Sequence, residues 1–461
     1  MADRWCARCL IIHFNERSKQ EPTETPRHGY LGCLGVGLGR HARREPAVTW
    51  AELAVTVRRR LPIAKGLERP AYVVWELTLA CDQPCTHCGS RAGEAREREL
   101  TRDEALSVVR DLAALGTEEV ALIGGEAYLH PAFLDVVGAV HAAGMRATMT
   151  TGGRGVTAEL ARAMAERGAY SVSVSVDGLE ATHDLMRAAR GSFAAATAAL
   201  GHFRSAGVTI TANTNVNRLN AKDLEPLYEH LKAQGILGWQ VQLTTPLGRA
   251  ADRPDLVLQP WDLLDVIPRV AQLKVRAQDD GILLMPGNNL GYFGPEEALL
   301  RSTERGGRDH YRGCMAGRFL MGIEADGIVK GCPSLQTHAY AKGSLRDAPV
   351  GELFAKSPPR KDDDLWGFCA TCPFAEPCRG GCTFTAHALL GRPGNNPYCH
   401  YRARDFAKRG LRERLVRVED APGRPFDNGR FDITVEPFDA PDERPARPHQ
   451  LVRRRRAKAG Q

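Results

Sequence analysis

No stretch of the 461 residues approaches the roughly 18 uncharged apolar residues that a membrane span needs. The short CLIIHF run near the start has Asp3, Arg4 and Glu16 around it, which makes a poor secretory leader. A one-signed centre is missing as well. The net charge of +7 sits in the flanks: residues 1–70 hold 13 basic and 7 acidic side chains, 411–461 hold 12 and 9, and 71–410 hold 37 and 39. A near-neutral middle does not suit a nucleic-acid groove, and the Arg453–Arg456 run reads as a solvated end. Neither nucleic acid nor membrane is expected as a partner, and the cytoplasm is the expected location.

Cysteine is missing from the 225 residues between Cys88 and Cys314, yet the chain has thirteen. Ten fall into two groups on either side of that gap: Cys81, Cys85 and Cys88, then Cys314, Cys332, Cys369, Cys372, Cys378, Cys382 and Cys399. In a reducing cytosol a large chain gains little from disulfides, so clustered thiols point to metal. Cys6, Cys9 and Cys33 make a weaker pattern and are expected to be incidental or structural.

The length suggests about three domains. Residues 1–68 are rich in Arg, Gly and Pro, with helical periodicity only at 50–60, and read as a loosely ordered leader. A strand ends at Ala80, and Thr101 with Glu104 forms a capping box opening a helix at 101–115. Strands at 120–123, 145–150, 170–176, 208–215 and 238–244 then alternate with helices at 131–143, 157–167, 192–206, 222–234 and 260–278. Six strand–helix units in series imply parallel strands with right-handed crossovers, either a partial barrel or a doubly wound sheet. Tyr170, Val172, Val174 and Val176 face one way, while Ser171, Ser173 and Ser175 face the other. Three serines under helices would be costly, so a barrel with a polar lumen is favoured. The pattern breaks at 285–295, residues 296–410 are Gly- and Cys-rich, and 411–461 read as a largely disordered basic tail.

Cys81-x3-Cys85-x2-Cys88 follows the first strand, at the barrel mouth. Three thiolates leave a tetrahedral zinc one ligand short, with His87 a possible but awkward fourth beside Cys88, and better suit a 4Fe–4S cluster with one open iron. This spacing, followed by Gly124–Gly125–Glu126 after the second strand, resembles the radical SAM superfamily over residues 69–295. The resemblance implies a partial (β/α)6 TIM-like barrel. It implies that Cys81, Cys85 and Cys88 hold a 4Fe–4S cluster that binds S-adenosylmethionine (SAM). It further implies that Gly124, Gly125 and Glu126 hold the methionyl amino group, that Ser175 and Arg187 meet the carboxylate or ribose, and that His87 lies against adenine. Ala188, where related sequences commonly have Gly, and Thr-Thr-Gly-Gly at 150–153 depart from the pattern.

On the residues alone, the seven later cysteines fit two metal sites, with zinc knuckles the plain alternative. Their spacing, with Gly327, resembles the SPASM domain, an iron–sulfur extension of radical SAM enzymes. That resemblance implies two auxiliary 4Fe–4S clusters, one on Cys369, Cys372, Cys378 and Cys399, the other on Cys314, Cys332 and Cys382. The second set is one ligand short, so an open iron, a substrate atom or an unrecognised side chain is expected there.

The activity implied is an oxidoreductase that reductively cleaves SAM to a 5′-deoxyadenosyl radical. That radical would modify a ribosomally synthesised peptide or protein side chain by hydrogen abstraction. Oxidation of a sulfatase-type side chain or building of a small cofactor is the alternative, although no matching Asp base is placed. A reductant such as flavodoxin or ferredoxin is expected. The flanks show no clear winged-helix leader-binding domain, so leader recognition is expected to need a separate leader-binding protein or another surface. Of a different class is a zinc-stabilised binding or scaffold protein, which would explain the cysteines but not Gly124–Gly125–Glu126. No catalytic acid or base is assigned.

Overall fold

The computed structural model describes residues 69–356, 365–442 and 444. Cys6, Cys9, Cys33, the expected leader 1–68 and the Arg453–Arg456 run lie outside the described residues.

Seven strands form one parallel sheet in chain order: β1 (Tyr72–Thr78), β2 (Glu119–Gly124), β3 (Arg146–Thr151), β4 (Ala169–Ser175), β5 (Thr209–Val216), β6 (Gly238–Leu243) and β7 (Leu283–Pro286). The order never reverses, so right-handed crossovers put every helix on one face. A doubly wound sheet would reverse part-way, and that alternative falls. β1 and β7 do not pair, leaving the barrel open. On the free side of β1 lies β8 (Leu320–Ile323), parallel to it, and β9 (Val329–Lys330) returns antiparallel. The cysteine-rich region is thereby bonded into the barrel sheet.

Counting helices of eight residues or more, the barrel carries α1 (Arg102–Ala114), α2 (Phe133–Ala142), α3 (Ala158–Glu166), α4 (Glu180–Arg187), α5 (Ser192–Ser205), α6 (Leu224–Ala233) and α7 (Leu263–Asp279). The capping box of Thr101 and Glu104 is present at the start of α1. Val172, Val174 and Val176 are fully buried in the same core as Ala196, Ala199, Leu200 and Phe203 of α5. Ser171, Ser173 and Ser175 are half-buried on the opposite face. A one-residue slip of β4 would put three hydroxyls under the helices at about 1–3 kcal/mol each, so the register is fixed. No helix among the described residues is long and apolar enough to cross a membrane.

Beyond the barrel, α8 (Thr383–Leu390) and α9 (His400–Lys408) frame the later cysteines. The expectation of disorder through 411–461 fails for its first half. Residues Leu411–Glu419 (β10) and Arg430–Pro437 (β11) pair as an antiparallel hairpin. Its charged strands are held by cross-strand pairs: Arg412 and Arg414 reach Glu436 at 2.6 and 2.8 Å and stack on Trp261 at 4.1 and 5.2 Å. The Gln259 side chain binds both the N–H and the C=O of Leu415, as a neighbouring strand would.

Candidate functional site

The loop leaving β1 carries Cys81, Cys85 and Cys88 over the C-terminal end of the sheet, and three contacts fix its path. The Thr86 N–H and hydroxyl both donate to the Met186 carbonyl in α4, at 2.8 and 2.9 Å. The Arg249 guanidinium, after β6, donates to the carbonyls of Cys85 and Ala92 at 2.7 and 2.9 Å, and its N–H donates to that of Cys88 at 2.9 Å. Gly124 and Gly125 are demanded by space: a Cβ on either would overlap a backbone carbonyl, Thr78 for the first and Ala80 for the second. Their adjacency presses Glu126 against the loop.

Glu126 is buried, and its carboxylate accepts from the Thr151 hydroxyl at 2.5 Å and from the Gly152 N–H at 2.6 Å. Burial pushes its pKa up to about 7 despite those bonds. The Thr-Thr-Gly-Gly departure thus works: Gly152 offers the N–H, and a Cβ there would crowd Glu126 and Gln83. Donor atoms of Cys81, Asp82 and Glu126 lie within 4.8 Å of one another, and the Tyr128 hydroxyl holds Asp82 at 2.9 Å.

On the other side of the loop Asp177 is fully buried at the end of β4. It meets the Arg187 guanidinium at 2.6 Å and His87 Nε2 at 3.2 Å, and accepts from the Asn215 N–H at 2.8 Å. Burial pushes its carboxyl up, but the charges of Arg187 and His87 outweigh this and hold it well below the usual range. Arg187 in turn donates to Cys85 Sγ at 3.7 Å. Arg187 is buried whereas Arg190 is exposed. Ser175 ends β4 on the lumen side, in register with Asn213, and joins the group through the chain, two residues before Asp177. Asp177, Arg249 and Asp82 were not singled out from the sequence.

The later cysteines lie in two neighbourhoods. Cys369, Cys372, Cys378 and Cys399 line one small pocket with Phe293, Phe368, Phe374 and Tyr401. Cys314, Cys332 and Cys382 act on one another electrostatically, and burial raises Cys332 to about 12 and Cys382 to about 11. In the first group burial pushes Cys81 to about 12. Between the sheet and the 309–320 segment lies a cavity of about 810 Å³, the barrel lumen, walled by Ser171, Ser173, Asn213, Gln240 and Tyr311 among others.

The sequence profile of the radical SAM superfamily matches residues 75–231, which include all three early cysteines, Glu126, Asp177 and Arg187. Residues 75–231 thus form a radical SAM domain. It is 26% identical over 359 residues to an AdoMet-dependent heme synthase of Nitratidesulfovibrio vulgaris, covering 72% of this chain and 92% of that one. It is 28% identical over 346 residues to the mycofactocin maturase MftC of Mycobacterium tuberculosis, covering 73% and 84%. Its fold resembles that of Streptococcus suis SuiB bound to the precursor peptide SuiA, with a TM-score of 0.55 at 14% identity over 72% of this chain and 75% of that one.

A radical SAM enzyme uses a 4Fe–4S cluster and SAM, and the donor set here fits them. A tetrahedral zinc with Zn–S near 2.3 Å draws its sulfurs to roughly 3.8 Å apart. Among the described residues no three cysteine sulfurs lie within 4.8 Å of one another. The radical SAM match and the enzymes among its relatives count against a non-catalytic scaffold. Around the loop, buried polar atoms lack hydrogen-bond partners: Asp82 Oδ1, His87 Nδ1 and Arg187 Nε. Such atoms are rare unless a ligand meets them.

Proposed function

We propose that this radical SAM enzyme modifies a side chain of a ribosomally made peptide in the cytoplasm, with the barrel of residues 69–295 carrying the chemistry. Cys81, Cys85 and Cys88 ligate three irons of a 4Fe–4S cluster, and SAM takes the fourth. Glu126 receives the methionyl ammonium, with Gly124 and Gly125 letting it approach. Arg187 and Ser175 face the carboxylate or ribose, and His87 offers its unpartnered Nδ1 to adenine while Asp177 holds its other nitrogen. Bound there, cluster and SAM supply one-electron cleavage of the sulfonium and a carbon radical that takes a hydrogen atom. The chain's own part is to hold SAM at the mouth of a lumen that keeps competing donors out. In residues 296–410, Cys369, Cys372, Cys378 and Cys399 hold one auxiliary cluster, and Cys314, Cys332 and Cys382 help hold another. A flavodoxin- or ferredoxin-type protein supplies the electron, and a separate protein carries the leader.

The observation that carries this reading is the convergence of Cys81, Glu126 and the Asp177–Arg187–Cys85 chain at the C-terminal ends of the barrel strands. The lumen also favours a peptide over a heme-type polycarboxylate. Its arginines already face acids: Arg146 meets Glu119 at 3.2 Å, Arg301 meets Glu297 at 3.4 Å, and Arg312 meets Asp309 at 3.7 Å. Ser171, Ser173 and Gln240 offer neutral hydrogen bonds of the kind a peptide backbone uses. The test is anaerobic incubation with SAM and dithionite. Wild type releases 5′-deoxyadenosine, Cys85→Ala does not, and a short peptide encoded beside this chain changes mass. Equal release from the variant defeats the site. Release with every such peptide unchanged in mass defeats the substrate.

A further inference from the structure

The set formed by Cys314, Cys332 and Cys382 is one donor short of a four-iron cluster, and a nearby oxygen is without a partner. Tyr311 lies three residues before Cys314, and its side chain is 5% exposed. Its ring packs edge-on against Tyr292 at 4.8 Å, and both share an apolar cluster with Cys382. The two phenols differ in one respect. The Tyr292 hydroxyl donates to the Asn288 carbonyl and accepts from the Cys382 N–H at 3.2 Å. The Tyr311 hydroxyl is buried and meets no hydrogen-bond partner. Leaving such a group unpaired costs roughly 1–3 kcal/mol, so it calls for an explanation.

The surroundings show what it faces. Cys314, Cys382 and Cys378 all bear on the Tyr311 phenol electrostatically, yet none hydrogen-bonds to it. The unpartnered oxygen thus belongs to a ring that shares its buried cluster with Cys382. Its backbone N–H is pinned to Glu297 Oε1 at 2.7 Å, which fixes where the ring stands. The Arg301 guanidinium lies 5.1 Å from the ring, while burial and the neighbouring thiols hold the free phenol protonated, so only a bound iron would draw off its proton. A phenolate is also an established iron ligand, as in the catalase haem, whereas a neutral amide such as the buried Gln336 is a much weaker donor.

We propose that Tyr311 supplies the fourth ligand, an oxygen, to the iron–sulfur cluster held by Cys314, Cys332 and Cys382. The phenol O–H bond breaks, an Fe–O bond forms, the proton leaves to solvent, and the iron keeps its oxidation state. This rests on the reading that those cysteines hold a cluster, and it deepens that reading. It makes the site closed, so that electrons pass through it while substrate does not bind to it. Tyr311 and its neighbours Arg312, Gly313 and Met315 line the lumen, so a substrate atom is the rival occupant.

The test uses reconstituted holoenzyme saturated with SAM, which blocks the open iron of the first cluster, and compares wild type, Tyr311→Phe and Tyr292→Phe. About twelve irons per chain in wild type establishes the clusters, and about four defeats the auxiliary reading itself. With the clusters present, wild type and Tyr292→Phe are expected to show iron–tyrosinate modes in resonance Raman, and Tyr311→Phe to lose them. Added cyanide is expected to change the electron paramagnetic resonance of reduced Tyr311→Phe only. Loss of about four irons from Tyr311→Phe alone also supports ligation. Cyanide changing all three proteins alike, or absence of tyrosinate modes from wild type, overturns the proposal.

Discussion

Replacing Asp177 by Asn removes one negative charge and little else. In the native protein the carboxylate is fully buried between Arg187 at 2.6 Å and His87 at 3.2 Å. Taking away one partner of a buried ion pair costs about 3–5 kcal/mol, because the other charge stays behind uncompensated. Asn can still accept from the Asn215 N–H, so the low end applies, about 3 kcal/mol. The same change frees the guanidinium that faces Cys85 and, on our reading, SAM. A hydrogen bond to a charged group is worth about 1.5–3 kcal/mol, so SAM should bind roughly 10- to 150-fold more weakly. The Asp177 carboxyl is held below its usual range, so its contribution is complete above about pH 4 and disappears only in stronger acid. The loss should therefore be the same from pH 6 to 9. Anaerobic equilibrium dialysis of labelled SAM and urea unfolding read the two effects. Adding Arg187→Met should restore much of the stability and none of the affinity. A single variant that binds SAM within twofold of wild type and unfolds at the same urea concentration would refute the reasoning.

Two further changes test local physics. Ala188 ends α4 at φ 51°, a left-handed conformation that glycine adopts without strain, so Ala188→Gly should raise stability by about 1 kcal/mol in urea unfolding; a lower midpoint would contradict this. Glu76 is buried beside Arg96 and Glu324, and burial is the main cause that lifts its pKa to about 7. A raised carboxyl gives stability that is complete below about pH 4.5 and lost as pH rises through 7, here of order 3 kcal/mol. Wild type should thus lose more stability between pH 5 and 8 than Glu76→Gln does; parallel curves would contradict this.

The barrel was legible because its strands are buried beneath helices and its serine and valine faces alternate, so period and composition agree. What escaped was short or polar. β7 is a four-residue apolar run in front of a glycine-rich turn, too brief for periodicity to mark. α4 reads EATHDLMR, and its buried face consists of His183, Met186 and Arg187, which looks like surface until the site is known. The β10–β11 hairpin was hidden by its arginines and glutamates, although LRERLVRVE and RFDITVEP do alternate. Cysteine spacing marked both thiol groups, since thiols without a redox or metal role are seldom grouped. Asp177 could not be marked, because an Asp–Gly pair after a strand is an ordinary turn and only the fold brings Arg187 and His87 to it. In sequence, Thr-Thr-Gly-Gly is only a departure from the family pattern. In space, Gly152 supplies the N–H that Glu126 needs.

The central claim is that SAM chelates the iron left free by Cys81, Cys85 and Cys88. Electron–nuclear double resonance on the reduced, oxygen-protected protein with 15N-amino and 17O-carboxylate SAM addresses it directly. The account predicts hyperfine coupling from both labels, lost in Cys85→Ala. Clusters that take up electrons while showing no coupling to either label would contradict it.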